Sequence, residues 1–241
     1  FKDVLGVYTA DPHQVPQATL IEEISSEEMR EMSALGSKIV HNRAIEMAMA
    51  HGLPIHIKPT FNKGNGTMII PASHGTDLKE QPYVKGIVTS GPSTKITLLN
   101  LPHSPILIGH ILEVMDIHGI PVDMILHHGS SEQNSLENFS FTIPQEHGEK
   151  ALSLCHDYQK AWECQKISAQ NRLLKLSLVG LGIRSHGSVV KKLMETLASQ
   201  GLSLFGISTS EMKISVLISQ DYGTEALKTL HRAFHLDKDN T

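Results

Sequence analysis

Cysteines, aromatic residues and long apolar runs are scarce in this 241-residue sequence. Its two cysteines, Cys155 and Cys164, lack the Cys-X-X-Cys spacing of redox and zinc motifs, so we interpret them as reduced thiols of a cytoplasmic protein. No apolar run approaches the roughly 20 residues that a membrane-spanning helix needs, which argues against a membrane role. The 21 basic and 25 acidic residues are interspersed, so the basic patch of a nucleic-acid-binding protein is missing.

Histidine is plentiful, with 15 residues, but the histidines are scattered along the chain. The adjacent pair His127 and His128 would point to opposite faces of a strand, so we predict no metal site. The 40% content of hydrophobic residues is ample for packed cores. Phe1 stands where a complete protein would have methionine, and the residues after it read as the middle of a fold, so we expect a piece of a longer protein.

Residues 1–70 alternate between strand and helix signals, as in an α/β domain. The apolar run Val4–Val7 predicts a strand. Ser25 followed by Glu28 has the spacing of a capping box and predicts a helix that ends near Gly36. Further predicted elements are a helix over 39–51 and strands over 54–58 and 68–70. Residues 71–82 lack apolar periodicity and contain two prolines, so we interpret them as a linker.

Beyond the linker, the predicted elements follow the order β-α-β-β-α-β of a ferredoxin-like unit. Its strands and helices are predicted at 95–101, 106–118, 122–128, 139–143, 148–158 and 164–168. The same order recurs at 174–179, 188–199, 203–207, 213–219 and 224–234, which is an internal repeat. The second copy lacks its fourth strand. The strand predicted at Val84–Thr89 precedes the first copy, so we expect it to cross over and complete the second sheet.

These patterns predict a mixed α/β (α+β) chain of three parts. Residues 1–70 form the end of an α/β domain, 83–172 form a first ferredoxin-like unit, and 173–241 form a second one. Because the strand at Val84–Thr89 precedes the first unit but would complete the second sheet, the first unit is expected to be an insertion in the second.

The stretch Ile207–Ser219 contains a strand, a polar turn and a second strand. Ile214, Val216 and Ile218 alternate with mostly polar residues, as in a half-buried antiparallel strand. A Ser- and Thr-rich hairpin explains the turn as well as a small-ligand site does; its polar side chains are Ser208, Thr209, Ser210 and Glu211. The run ISTSEMKISVLI resembles the final signature of aspartate kinases, which lies in the C-terminal ACT domain of that family.

The first residues resemble the aspartate kinase segment TDVDGVYTADPR, which lies over the nucleotide in that family. Asp3 and Tyr8 match it, whereas Leu5 replaces an aspartate and His13 replaces an arginine. Lys38, in LGSKIVHNRAIEMA, matches the lysine of the family motif GAKVLHPRAVE, although a lysine beginning a helix is often only solvated. The resemblance implies that Asp3, Tyr8 and Lys38 contact ATP, bound with Mg²⁺ in the intact enzyme, while we expect the fragment alone to bind neither.

In an ACT-type unit, the loop after the first strand meets a helix N-terminus, whose free N–H groups can hold a carboxylate. In the first copy this loop contains His103 and Ser104, and Asp123 on the next strand is the candidate acceptor for an ammonium group. The family pattern SDKPG…NIDM keeps its aspartate at Asp123, but its loop aspartate and glycine are replaced. A solvated edge carboxylate is the alternative for Asp123. The resemblance also implies effector contacts at His127 and Ser130.

In the second copy the corresponding loop is Gly180–Ser188, which resembles the family pattern GxGMxSHPGV without its proline. Its glycines allow close backbone approach, and Ser185 or Ser188 could cap the helix that follows. We expect its partner in space to be the polar turn Ser208–Glu211, so that Ser185 and His186 join that turn in a small-ligand site. Capping serines beside a satisfied hairpin are the simpler alternative.

Membership of this family would imply a kinase that transfers the γ-phosphoryl group of ATP to L-aspartate, on the route to lysine, threonine and methionine. The sequence lacks the family's KFGGTS motif and its aspartate-holding residues, so no catalytic residue is assigned and the fragment alone is expected to be inactive. We expect the ACT units to bind an allosteric amino acid, lysine rather than threonine, and to associate as a homodimer. Two alternatives stay open, a non-catalytic regulatory subunit and a degenerate homologue that kept only its ACT packing.

Overall fold

The computed structural model describes residues 4–61, 63–71, 84–128 and 136–237. The chain divides into two compact units, one from Phe1–Ser90 with Lys175–Thr241 and the other from Gly91–Leu174. The sequence analysis assigned residues 1–70 and 173–241 to different domains, whereas in the structure both ranges contribute to the first unit. The predicted domain boundaries stay a prediction, because most of the proposed linker lies outside the described residues. None of the helices in the described ranges has the length and apolar character needed to cross a membrane.

The N-terminal part of the first unit contains a three-stranded sheet and two helices. Strands β1 (Glu23–Ser25), β2 (Ile55–Ile57) and β3 (Thr67–Ile70) have the order β1-β3-β2, with β1 parallel and β2 antiparallel to β3. The helices are α1 (Ser26–Ala34) and α2 (Asn42–Ala50). The predicted capping box is present at α1, because Glu28 N donates to Ser25 Oγ and Ser25 N donates to the Glu28 carboxylate.

One sequence prediction for this region is wrong, and one strand was missed. Val4–Val7 does not form a strand; bends occupy residues 4–6, and the buried side chain of Val7 packs in the core beside α1. Strand β1 was missed, since three residues are too short to show a period. The core of this region also contains Met29 and Met32 of α1, so this helix packs with its apolar side chains toward the sheet.

After β4 (Gly86–Thr89), which belongs to the first unit, the chain forms the second unit. This unit has the sheet order β6-β7-β5-β8, and β5 pairs antiparallel with both β7 and β8. Its elements are β5 (Ser93–Pro102), α3 (Pro105–Ile117), β6 (Ile125–His128), β7 (Leu136–Pro144), α4 (Gly148–Tyr158) and β8 (Lys166–Val179). The order is the predicted β-α-β-β-α-β, and Phe139, Phe141 and Trp162 are the largest side chains of its core.

Strand β8 is longer than the sequence predicted. The strands expected at 164–168 and 174–179 are one continuous element, because the polar residues between them pair with β5. Arg172 adopts a left-handed φ of 58° where the register shifts opposite Ser93 and Lys95. The final residues of β8, from Lys175 onward, belong to the first unit.

The remainder of the first unit is a second sheet with two helices. It contains the end of β8 and then α5 (Gly187–Ser199), β9 (Gly206–Thr209), β10 (Lys213–Ser219) and α6 (Gly223–Ala233). β10 lies between β8 and β9. β4 pairs antiparallel with the end of β8, with Gly86 opposite Val179 and Thr89 opposite Leu176. β4 therefore supplies the fourth strand of this sheet, which is the pairing that the sequence predicted.

Strand β10 is buried on both faces, so the prediction of a half-buried strand is wrong. Ile214, Val216 and Ile218 are buried, and Ser215 and Leu217 on the opposite face are buried as well. A hydrogen bond of 2.8 Å between the hydroxyls of Ser215 and Ser177 satisfies the polar side chain inside the sheet. The alternation identified the strand, but the covering of its second face depends on residues distant in the sequence.

Candidate functional site

A cavity of about 380 Å³ in the first unit is lined by both N-terminal segments that the sequence analysis singled out. Tyr8 and Asp11 come from the first segment, and Gly36 and Lys38 come from the second. Residues distant in sequence therefore meet at one concave surface. Asp3, which was also predicted to contact a nucleotide, lies outside the described residues.

Backbone hydrogen bonds of Thr9 hold the first of these two segments in place. Thr9 O accepts from Ile87 N of β4 at 2.7 Å, and Thr9 N donates to Thr19 O at 2.9 Å. After α1, Gly36 takes a φ of 122°, so the chain turns at a residue that tolerates this conformation. Lys38 follows and is exposed, which makes its charge available to an anionic ligand. The alternative of a solvated lysine stays open.

The loop Gly180–Ser188 contains a 3₁₀ turn at Ile183–Ser185, preceded by Gly182 with a φ of 66°. Helix α5 starts at Gly187, so Ser188 lies inside the helix and His186 is its N-cap. Within the described residues no side chain caps this helix, and the interpretation of Ser185 or Ser188 as caps is wrong. The first amides of α5 are therefore not satisfied by a capping side chain.

The loop lies beside the turn between β9 and β10, as the sequence analysis expected. Gly180 N donates to Met212 O at 3.0 Å. The guanidinium of Arg184 lies 4.0 Å from the carboxylate of Glu211, and both side chains are exposed. The structure thus brings the glycine loop and the polar turn together at one surface of the first unit.

The four polar residues of the predicted turn have different positions. Ser208 and Thr209 belong to β9 and are exposed, so the turn begins at Ser210 and is shorter than predicted. The hydroxyl of Ser210 accepts from the backbone amides of Met212 and Lys213, at 3.4 and 3.2 Å. Ser210 is therefore used by the hairpin itself, as the simpler alternative required.

Helix α1 contacts both this loop and this hairpin, which sequence reasoning missed. The carboxylate of Glu28 accepts from Leu181 N at 3.2 Å, and Glu31 forms an ion pair with Lys213. Glu28 was identified only as a capping-box residue. Its second role has no local signal, because Leu181 lies 153 positions away in the sequence.

In the second unit, His103 and His127 bind the same carboxylate. Nδ1 of His103 and Nε2 of His127 lie 2.6 and 2.9 Å from the Oε2 atom of Glu137, whose side chain is only 1% exposed. Burial alone would raise the pKa of Glu137, but hydrogen bonds from the two imidazoles and their charges outweigh it and leave the pKa below its ordinary value. Oε1 of Glu137 is buried without a hydrogen-bond partner among the described residues. Glu137 was not predicted as a site residue.

Ser104 and Asp123 do not share a site within one chain. Ser104 caps α3 by accepting from Leu107 N, next to the β5 end where Pro102 pairs with Leu136. Asp123 N donates to the backbone oxygen of Thr142, six residues further along β7 from Leu136. At about 3.3 Å per strand residue, these positions are roughly 20 Å apart.

Ser130, the remaining predicted effector residue of the second unit, lies outside the described residues. Among the described residues, no group of three or more histidines, cysteines or carboxylates is arranged to hold a metal ion.

The sequence matches two family models. The model described as the amino acid kinase family matches residues 1–59, and an ACT domain model matches residues 176–234. The aspartate kinase of Pseudomonas putida is 35% identical over 237 residues, which is 98% of this chain and 57% of that protein. The chain thus spans a little over half the length of the curated relatives it matches.

Solved structures show the same relationship. The crystal structure of Clostridium acetobutylicum aspartate kinase has a TM-score of 0.87 over 97% of this chain and 53% of that chain, at 23% identity, which indicates a shared fold. A crystal structure of aspartokinase alpha and beta subunits is 35% identical with a TM-score of 0.58, and the alignment covers 63% of this chain and 99% of that one. This chain belongs to the aspartate kinase family.

Proposed function

We propose that this chain provides part of the nucleotide site and the regulatory region of an aspartate kinase of the lysine, threonine and methionine pathway. The enzyme would transfer the γ-phosphoryl group of ATP to the side-chain carboxylate of L-aspartate. The observation that carries this proposal is the cavity where Tyr8 and Lys38 meet, since each belongs to a separate family motif. A cytoplasmic location follows from this biosynthetic role.

The residues present fit a nucleotide. An exposed lysine ammonium suits phosphate oxygens, and a half-buried tyrosine ring that lines the same cavity offers a stacking surface. When bound, ATP with Mg²⁺ supplies the phosphoryl group that is transferred. Lys38 and Tyr8 would bind and orient the nucleotide, and His13, which replaces an arginine of the family motif, would leave the phosphates with less positive charge around them.

Steady-state kinetics of the full-length protein test this role. A charge-assisted hydrogen bond contributes roughly 1.5–3 kcal/mol, so Lys38→Ala should raise the KM for ATP about tenfold to a hundredfold. Lys58→Ala, at another exposed lysine of the same unit, should leave it unchanged. Equal KM values in both variants would refute the assignment of Lys38. Residues 1–241 alone should form no aspartyl phosphate above background.

An amino acid is the proposed effector, and lysine is the first candidate. The helix N-terminus capped by Ser104 would hold the carboxylate, and Asp123 would hold an ammonium group. Because these two positions are roughly 20 Å apart in one chain, the site would need two copies of the chain, one giving the helix and the other giving Asp123. The fold similarity to E. coli aspartokinase III, solved with lysine and aspartate, motivates the choice of lysine.

Calorimetry with lysine and threonine tests the effector site. Asp123→Ala should weaken lysine binding about tenfold to a hundredfold, because one charge-assisted hydrogen bond is lost. Asp157→Ala, at an exposed position of α4, is the matched control. Unchanged affinity in Asp123→Ala would place the site elsewhere, and absent heat with millimolar amino acid would refute effector binding.

Self-association is proposed for the second unit. Among the described strands β6 lies at the edge of its sheet, and Ile125 on it is half exposed. Helix α3 exposes Ile106 and Ile117, which are 86% and 72% accessible. Pairing of two copies would cover these apolar side chains and the free edge. A monomer by light scattering at roughly tens of micromolar protein, with and without lysine, would contradict this.

A non-catalytic regulatory subunit is the second candidate. It is favoured by the match to the aspartokinase alpha and beta subunits, in which 99% of a solved chain aligns with 63% of this one. The match of residues 1–59 to the amino acid kinase family favours the enzyme instead. Kinase activity of the full-length protein distinguishes the two candidates.

A further inference from the structure

The carboxylate of Glu137 has one buried oxygen without a partner. Its Oε2 atom lies 2.6 Å from Nδ1 of His103 and 2.9 Å from Nε2 of His127, whereas its Oε1 atom has no hydrogen-bond partner among the described residues. The side chain is only 1% exposed. Because a buried oxygen without a donor costs free energy, this carboxylate has the capacity to accept a further hydrogen bond.

Glu137 carries a negative charge at neutral pH. Burial raises the pKa of its carboxyl group, but the hydrogen bonds and charges of His103 and His127 outweigh burial and leave the pKa below 4.5. A hydrogen bond to a charged acceptor is strongest when the donor is charged as well. The group that best completes this carboxylate is therefore a cation such as an ammonium group.

Glu137 lies at the N-terminal end of helix α3. On the sheet it pairs with Leu101 of β5, three residues before Ser104, the N-cap of α3. His103, which binds Glu137, directly precedes this cap. Glu137 is therefore close to the helix N-terminus that is proposed to hold the effector carboxylate, whereas Asp123 of the same chain is roughly 20 Å from it.

The two imidazoles that cover Glu137 are held differently. His127 belongs to strand β6, and its ring lies against Phe139, with 6.4 Å between the ring centroids. His103 follows the end of β5 in the loop before α3, and its side chain is 40% exposed. His103 can therefore leave the carboxylate without disturbing a strand, and a cation from solvent can take its place.

We propose that Glu137 holds the α-ammonium group of the amino-acid effector, which displaces the imidazole of His103. This inference rests on the proposed effector site and names a further residue of it. The α-carboxylate and the α-ammonium group are attached to one carbon, so their partners must lie close together, as the α3 N-terminus and Glu137 do. The side-chain ammonium group of lysine is then left for Asp123 of a second copy of the chain. Threonine has no second ammonium group, so this arrangement favours lysine.

Calorimetry of the full-length protein with three ligands tests the assignment. The ligands are lysine, norleucine, which lacks the side-chain ammonium group, and ε-aminocaproate, which lacks the α-ammonium group. Glu137→Gln keeps the side-chain volume but removes the charge. It should weaken binding of lysine and norleucine about tenfold to a hundredfold and leave binding of ε-aminocaproate within about twofold of wild type. Glu113→Gln, at an exposed glutamate of α3, should change none of the three affinities.

The pattern across the ligands separates recognition from a structural role. If Glu137 only supported the fold, Glu137→Gln would weaken all three ligands equally, because each uses the same helix N-terminus for its carboxylate. That result, or an unchanged affinity for lysine, would overturn the inference and leave the proposed effector site standing. If lysine does not bind the wild type, the proposed effector site fails and the inference fails with it.

A second variant tests the displacement and leaves Glu137 in place. His103→Ala removes the imidazole that the ammonium group must replace, so lysine should bind about twofold to tenfold more tightly, the equivalent of one ordinary hydrogen bond. His156→Ala, at an exposed histidine of α4, should leave the affinity for lysine unchanged. Unchanged or weaker lysine binding in His103→Ala would overturn the displacement.

Discussion

The Nε2 atom of His231 lies 2.8 Å from the Oγ1 atom of Thr9, across 222 positions of sequence. On its other side, Nδ1 of His231 is hydrogen-bonded to the carboxylate of Asp237. His231 is fully buried, and Thr9 precedes residues that line the proposed nucleotide cavity. Helix α6, which contains His231, is thus hydrogen-bonded directly to the N-terminal segment that contains Thr9.

Removing this imidazole should destabilise the first unit. His231→Ala removes the hydrogen bonds to Thr9 Oγ1 and to the Asp237 carboxylate, each of which contributes roughly 0.5–1.5 kcal/mol, so the free energy of unfolding should fall by about 1–3 kcal/mol. His13→Ala, at an exposed histidine of the same unit, should change stability by less than about 0.5 kcal/mol. Urea unfolding of both variants measures the difference. Equal unfolding free energies would mean that the bond to Thr9 contributes nothing.

The carboxylate of Glu137 should make the free energy of unfolding of the second unit depend on pH in the acidic range. Its pKa in the folded protein lies below the ordinary value of 4.5, so the unfolded chain takes up the proton first. The stabilisation is complete above pH 4.5 and is lost as the pH falls through the folded value. Glu137→Gln should therefore lower stability most near neutral pH and least in acid.

Glu149→Gln is the control for this experiment, because Glu149 is exposed on α4. Its stability should follow the wild type at every pH. If the free energies of unfolding of Glu137→Gln and the wild type differ by the same amount from neutral pH into acid, the two histidines do not favour the charged carboxylate.

Two glycines with similar backbone angles should respond differently to alanine. Gly52 and Gly66 have φ values of 63° and 75°, which cost an alanine about 1–2 kcal/mol in either case. A Cβ at Gly66 would also lie 1.9 Å from the backbone oxygen of Ile57, whereas nothing lies within 4 Å of a Cβ at Gly52. Gly66→Ala should therefore be much more destabilising in thermal unfolding. Similar melting temperatures for the two variants would contradict this close approach between β2 and the residue before β3.

The two cysteines should be inert toward thiol reagents in the native protein. Burial raises the pKa of Cys155 to about 12 and also raises the pKa of Cys164, so little reactive thiolate is present near neutral pH. Both should react after denaturation. Ser153→Cys, which places a thiol at an exposed position of α4, should react in the native state and serves as the control. Labelling of native wild type at the same rate would refute this.

Local features of the sequence determined many of the elements. The bounds of α4 and β10 agree with those predicted, because the apolar period and the turn residues at their ends are adjacent in the chain. The capping box of α1 involves residues three positions apart and was predicted for the same reason. The order of the predicted elements also showed that the unit repeats. Because the second copy lacked a fourth strand, the sequence predicted that β4 would complete its sheet, and β4 pairs with β8 there.

Apart from the glycine loop and the polar turn, whose proximity was expected, the tertiary structure alone decided which polar residues act together. Glu137 meets His103 and His127 because β7 pairs with both β5 and β6, and neither imidazole has a local signal for this contact. Glu28 meets Leu181 because helix α1 packs beside a loop 153 positions away in the sequence. Strand β10 is likewise covered on both faces by residues distant in the sequence. Periodicity reports which face of an element is apolar, whereas a contact between side chains depends on how separate elements pack, which no single stretch of sequence contains.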